Sequence, residues 1–367
     1  MPYRILILGA SYGSLLGTKL LMAGHHVSLV CTAPTARLIN REGTRVRFPL
    51  RGAAAPVEID SRTLPGALTA LIPGEADPRF YDLIVLGMQE AHYGVPGVRE
   101  LMRRIAHSRK PCLAIMNMPP LAYLRRLPGI AVDMLKPCYT DPSVWEGFDP
   151  ALITLASPDP QAFRPPESAK NVLQVGLPTN FKAARFESAE ATAILRALEA
   201  GIEAARFDVN GVALEIPVKL KVHDSLFVPL AKWPMLIAGN YRCIRAHDMI
   251  PIREAVHGDL DESRRIYGWV ADLCTGLGAG ADDLVPFEKY AEAAAGLGKP
   301  SSAARALFGG AAHIERVDSL VRRIARQRGL ECDVLNAIVR LVDERLAANR
   351  APTRQPAFGL EVIPSPA

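Results

Sequence analysis

The chain has 367 residues, 49% of them apolar and 22% charged, an ordinary globular balance with material for a sizeable core and a length that favours two domains. Its 43 basic and 38 acidic side chains leave a net charge of +5 spread along the sequence. That argues against a nucleic-acid surface, which needs a concentrated basic stripe, and suits an anionic small molecule. The run 226–239 is too short and too interrupted, by Pro229, Lys232 and Pro234, to span a bilayer, and reads as a buried helix.

In chain order, residues 3–8 form an apolar run ending in glycine, residues 15–21 carry apolar side chains at helical spacing, and residues 27–31 form a second apolar run. This is strand, glycine turn, helix, strand, a βαβ unit. Further strands are predicted at 44–48, 83–86 and 112–116, and helices at 33–41 and 96–108. Their alternation implies a parallel sheet covered on both faces. Residues 119–185 are proline-rich, with extra strands predicted at 151–157 and 171–177. Helical periodicity then covers 189–204, 212–240, 250–277, 286–295, 301–310, 313–328 and 331–348.

The fold class is therefore α/β: a Rossmann dinucleotide-binding domain over 1–205, an all-helical domain over 206–349, and an irregular proline-rich tail over 350–367. Basic stretches at 103–110 and 322–329 fall at predicted helix C-termini, where positive charge suits the helix dipole. His25 and His26 are placed at a solvent-facing turn. The six cysteines form no C-x-x-C pair or metal-type cluster, so no metal is expected, and reduced, mostly buried thiols in a cytoplasmic protein are the reading. The start of the sequence runs straight into a core strand, so no signal peptide is expected.

A glycine turn between strand and helix makes an anion site, because free backbone N–H groups and the helix dipole point at it. Here the turn is Gly9-Ala10-Ser11-Tyr12-Gly13-Ser14. Ser11 stands where a second glycine is usual, and the loop is one residue shorter than G-x-G-x-x-G. These six residues are the predicted diphosphate cradle. After the second strand, 30–37 contains no carboxylate for ribose hydroxyls, whereas Thr32, Thr35 and Arg37 are present and Arg41 follows. NADPH is therefore expected over NADH.

In serial order, ILGASYGSLLGTKLLMAGHHVSLV, DLIVLGMQEAHY, AIMNMPP, PVKLKVHDSLFVPLAKW and KPSSAARALFGGAAHIERVD resemble the ketopantoate reductase (2-dehydropantoate 2-reductase) family over residues 3–348. The resemblance implies an N-terminal Rossmann domain, a C-terminal helical domain, and NADPH-dependent reduction of a 2-keto acid in the cleft between them, as in pantothenate biosynthesis. It further implies a lysine general acid on the first long helix of the second domain, an asparagine near the nicotinamide, and a serine and a glutamate that hold substrate. Carried over, these are Lys219, Asn117, Ser301 or Ser302, and Glu315. The sequence departs from the family where Asn117 is followed by Met118-Pro119-Pro120, where Gln89 replaces a lysine after the fourth strand, and where His223 replaces an asparagine. Gln89 is included among the cofactor-binding residues. An alignment anchored on Pro229 leaves Lys221 as the nearest lysine instead.

On the residues alone, Lys219 and His223 would share a helical face, with the lysine donating a proton and the histidine orienting substrate. Each site residue also has a plain structural reading. Lys219 could snorkel to solvent, Asn117 could belong to a turn, Ser301 or Ser302 could cap a helix, and Glu315 could sit in a solvated charge cluster. Two other functions fit the pattern: an opine-dehydrogenase-like condensation of a keto acid with an amino acid, using His223, and a non-catalytic NAD(P)-binding regulator. Expected partners are a small keto acid and a second copy of the chain, with no nucleic acid or membrane.

Overall fold

The computed structural model describes residues 1–50 and 55–351. The chain begins as expected, with β1 (Arg4–Leu8), α1 (Tyr12–Met22), β2 (His26–Val30) and α2 (Ala33–Glu42). Next come β3 (Arg45–Phe48), β4 (Val57–Asp60), β5 (Ala67–Leu71), β6 (Leu83–Leu86), α3 (Pro96–Ser108), β7 (Cys112–Ile115) and α4 (Leu121–Leu124). They are followed by β8 (Ile153–Ser157), β9 (Gln161–Phe163), β10 (Val172–Leu177), β11 (Phe181–Ala184) and α5 (Ala189–Ala204). A small hairpin, β12 (Phe207–Val209) and β13 (Val212–Leu214), leads into β14 (Leu220–His223).

The main sheet has the order β5-β2-β1-β6-β7-β8-β11-β14. The six strands from β5 to β8 are parallel, and β11 joins β8 antiparallel. From β1 the chain winds outward through β2 to β5, then returns to the other side of β1 at β6. The switch point thus lies between β1 and β6, directly beside the glycine turn, where open α/β sheets bind ligands. A second sheet, β4-β3-β10-β9, is inserted beside the first.

Beyond the sheets come α6 (Lys232–Met235), α7 (Ile252–His257), α8 (Leu260–Leu277), α9 (Phe287–Ala295), α10 (Ser302–Phe308), α11 (Val317–Gln327) and α12 (Asp333–Arg350). Their apolar faces continue into the core on one face of the main sheet, where Leu8, Leu86 and Ala114 join Trp233, Val256 and Leu320 in one buried cluster. The other face packs on α1 and α5. The helical half is therefore fused to the sheet through shared core and has no separate one. No helix among the described residues is long and apolar enough to cross a membrane. No group of metal-binding side chains occurs among the described residues. The six cysteines are free, five of them buried. The basic stretches do fall at the ends of α3 and α11.

Three expectations need correction. The sheet does not end near residue 206: β14 carries it to His223, and helix begins only after that. The predicted helix over 212–240 is hairpin, edge strand, a 3-10 turn, α6 and a π-helical turn over Leu236–Asn240. Ile216, Val218, Leu220 and Val222 are all buried, so the alternation of a strand overrides the helical pattern there. Finally, His25 is buried, and its Nδ1 accepts from the Tyr3 N–H at 3.2 Å, whereas His26 is exposed. The tail beyond Ala351 lies outside the described residues.

Candidate active site

The glycine turn is built by close approach. Gly9 has φ +101°, and a Cβ there would lie 2.9 Å from the Gly87 carbonyl oxygen and 2.7 Å from Met88 Cγ. Gly13 lets α1 settle on β1, since a Cβ would meet Ile7 Cγ2 at 2.7 Å. The N–H groups of Ala10, Ser11 and Tyr12 find no protein acceptor among the described residues, while that of Ser14 is used by Ser11. Ser14 Oγ is also used, donating to the Ala10 carbonyl at 2.6 Å. Unpaired N–H groups at a helix start, with no Cβ at Gly9 or Gly13, fit a diphosphate bound through the main chain. Gly9→Ala is expected to destabilise the fold by about 1–3 kcal/mol, read from urea unfolding, because it sets a side chain at positive φ against backbone.

Tyr12 departs from a plain cradle. Its side chain leaves the loop, lies 6.3 Å from Phe181 between ring centroids, and donates to the Pro160 carbonyl. Burial, with Asp159 and Glu315 nearby, pushes its hydroxyl pKa well up, so it stays protonated. Thr32 and Thr35 bond to each other at 3.0 Å at the end of β2, and Arg41 pairs with Glu42. Gln89 is exposed just past β6, at the start of a short 3-10 turn.

Asn117 and Glu315 come together. Asn117 lies two residues past β7, and its Nδ2 donates to Glu315 Oε2 at 3.1 Å across 198 residues of sequence. Its Oδ1 is buried without a partner, an orphan acceptor that points to a ligand. Burial pushes the Glu315 carboxyl up to about 7, with Glu90 adding to the rise and donors from Asn117 and the Glu90 backbone opposing it. Glu90 is itself buried and accepts from the Thr140 N–H at 3.0 Å and hydroxyl at 2.8 Å. Tyr241, just past the π-helical turn, donates to the Glu315 carbonyl at 2.5 Å and accepts from the Val317 N–H at 3.0 Å.

This raised carboxyl has a consequence for stability. Between pH about 4.5 and about 7 the unfolded chain releases the proton that folded Glu315 keeps. The stability contributed by this group therefore falls as pH rises through that window, by roughly 3 kcal/mol. Glu315→Gln should flatten that part of the stability–pH curve in denaturant titrations; an unchanged slope would refute the shift.

Lys219 does not reach this group. It precedes β14, and its ammonium pairs with Glu203 and with Glu215, the latter at 2.5 Å. Those partners hold its pKa above the usual lysine value against the effect of burial. β14 lies three strand spacings from β7, about 14 Å. His223 ends the same edge strand, so the expected shared helical face does not exist, and no pairing with the Asn117–Glu315 group results. Lys221 pairs with Glu203 at 2.7 Å. Ser301 is buried as the N-cap of α10, accepting from the Ala304 N–H at 3.1 Å and donating to the Asn240 carbonyl at 2.7 Å. Ser302 is exposed. The capping reading of this pair is the one the geometry supports.

A lysine within electrostatic reach of Glu315 is Lys232, at the start of α6. Its Nζ donates to the Pro158 carbonyl at 2.7 Å and lies 3.5 Å from Asp159 Oδ1. Burial lowers its pKa, while Asp159 and, more weakly, Glu315 raise it. A lysine interrupting an otherwise buried segment is the signal that marks it. Asp159 had no signal beyond its place between two prolines.

The architecture, a Rossmann sheet carrying a fused helical half with polar groups gathered at the switch point, is that of two-domain dinucleotide-fold proteins. No protein-family model matches the chain, and no curated protein does. Solved structures do, and the chain has the ketopantoate reductase fold. A 2-dehydropantoate 2-reductase from Methylococcus capsulatus superposes with a TM-score of 0.65 at 14% identity, over 95% of this chain and 98% of that one. D-mandelate dehydrogenase, solved with NADH and anilino(oxo)acetate, gives 0.62 at 14% identity, over 94% and 99%. The dimeric ketopantoate reductase from Staphylococcus aureus gives 0.57 at 9% identity, over 94% and 99%.

Proposed function

We propose that this chain is an NAD(P)-dependent reductase of a small 2-keto acid, with Lys232 in place of Lys219 as the proton donor. The observation that carries the reading is the buried Asn117–Glu315 pair past the carboxyl end of β7, with the enclosed ammonium of Lys232 within electrostatic reach of Glu315. Residues 9–13 would hold the diphosphate through main-chain N–H groups, with Thr32 and Gln89 flanking the rest of the dinucleotide. A reduced nicotinamide, when bound, supplies the hydride. As the carbonyl carbon gains it, the C=O electron pair moves onto oxygen. Lys232 stabilises that charge and transfers a proton from Nζ, then regains one from solvent. Burial lowers its pKa, the direction that makes an ammonium a readier proton donor. The unpartnered Oδ1 of Asn117 is free to accept from nicotinamide or substrate. Glu315 holds the side chain of Asn117 in place.

The absence of a carboxylate from residues 30–37 favours NADPH over NADH. The fold shared with a dimeric enzyme supports a homodimer. The test is a fluorescence titration with NADPH and NADH, followed by a panel of 2-keto acids with and without added amino acids. Saturable binding, tighter for NADPH, and NADPH oxidation by a keto acid alone are expected. No binding by either dinucleotide would overturn the reading. A requirement for an amine would replace it with reductive condensation, and binding without turnover with a regulator.

A further inference from the structure

The connection from β8 to β9 is three residues long, Pro158-Asp159-Pro160, and all three are engaged. The Pro158 carbonyl accepts from Lys232, and the Pro160 carbonyl accepts from Tyr12 of the glycine turn. Between them, Asp159 turns one carboxylate oxygen to Lys232 at 3.5 Å and the other to Lys182 of β11 at 3.7 Å. The prolines fix φ on both sides of the aspartate, so the carboxylate is held on a stiff strap. The side chains of Asp159 and Lys232 are only 19% and 20% exposed, so neither charge is freely solvated. A largely buried ammonium keeps its charge only if it is paired.

We propose that Asp159 is a positioning residue that holds the Lys232 ammonium charged and in place, by an ion pair delivered on the strap that also anchors Tyr12. This rests on the reading of Lys232 as proton donor. The ionisable groups facing Lys232 are Asp159 on the strap, Lys182 on β11 and Glu315 ahead of α11. Tyr12 on α1 stays neutral beside Asp159 and Glu315. Of the two carboxyls, Asp159 is the one in ion-pair contact with Lys232, whereas Glu315, raised to about 7, is partly protonated at neutral pH. Removing the Asp159 charge would leave Lys232 facing Lys182 with only that partial compensation.

The experiment is a pH titration of lysine Nζ resonances in the ligand-free full chain, with 15N-labelled lysine and Lys232 assigned from Lys232→Arg. In Asp159→Asn the Lys232 midpoint should fall by at least about one pH unit, a tenfold weaker hold on the proton. Asp159→Glu should restore most of it, and Lys182→Met, which removes the competing cation, should raise it. If Asp159→Asn does not fold, the Lys182→Met shift decides alone. A midpoint unmoved in the variants that fold overturns the proposal and leaves Lys232 standing as donor. A moved midpoint with full keto-acid turnover in Lys232→Ala would overturn the donor reading, and the role of Asp159 in the reaction with it.

Discussion

Replacing Lys232 by alanine is expected to lower kcat for NADPH-dependent keto-acid reduction about 10²–10⁴-fold, the usual worth of a positioned proton donor. Dinucleotide affinity should change little, because the glycine turn holds its ligand through main-chain groups. The size of the effect follows from where the ammonium sits. It is mostly enclosed, donates to one carbonyl, lies in ion-pair contact with one carboxylate and is within electrostatic reach of Glu315, whereas Lys219 is taken up by Glu203 and Glu215. Lys219→Ala is the matched control. Its partners Glu203 and Glu215 are half-exposed surface carboxylates, so its loss should cost about 1 kcal/mol of stability or less and leave turnover near that of the parent. Steady-state kinetics on both variants check the pair of statements, and a collapse of activity in Lys219→Ala alone would reverse the assignment.

Arg316→Ala is expected to cost about 3–5 kcal/mol of stability, read from urea unfolding. Arg316 binds both oxygens of Asp318 at 3.0 Å and reaches Asp343 at 2.6 Å. Asp318 is completely buried, so deleting the arginine leaves an uncompensated carboxylate in the core. That loss is a large share of the 5–15 kcal/mol typical of a domain. It also bears on the site, since Arg316 follows Glu315, whose carbonyl is pinned by Tyr241. Loosening this corner should lower kcat in the fraction that stays folded. Asp318→Asn should be milder than Arg316→Ala, because a neutral amide is cheaper to bury than a stranded charge.

Residues 3–31 were legible because strand, turn and helix each leave a local mark: an apolar run, glycines where a Cβ cannot fit, and apolar side chains at helical spacing. The same holds for α5, predicted and found at 189–204. The misreading of 216–223 has a definite cause. Its strict alternation is a strand signal, but it adjoins a helical segment, and the lysine sought for the site lay inside it. Strand β14 pairs with β11, whose own short run gave little local signal. Of the inserted sheet, β3 and β10 were legible as apolar runs at 44–48 and 171–177, but the short β4 and β9 were not, nor was the pairing of β3 with β10 across distant sequence.

What the sequence determined by itself is whatever a short window encodes: the glycine turn, most helices, and Asn117 at the end of its strand. Which charged residues meet was decided only by the tertiary structure. Asn117 and Glu315 are 198 residues apart, and Asp159 and Lys232 belong to different halves of the chain. Ionic partners carry no periodic pattern, so their pairing is set by strand order and by how the helices seat on the sheet.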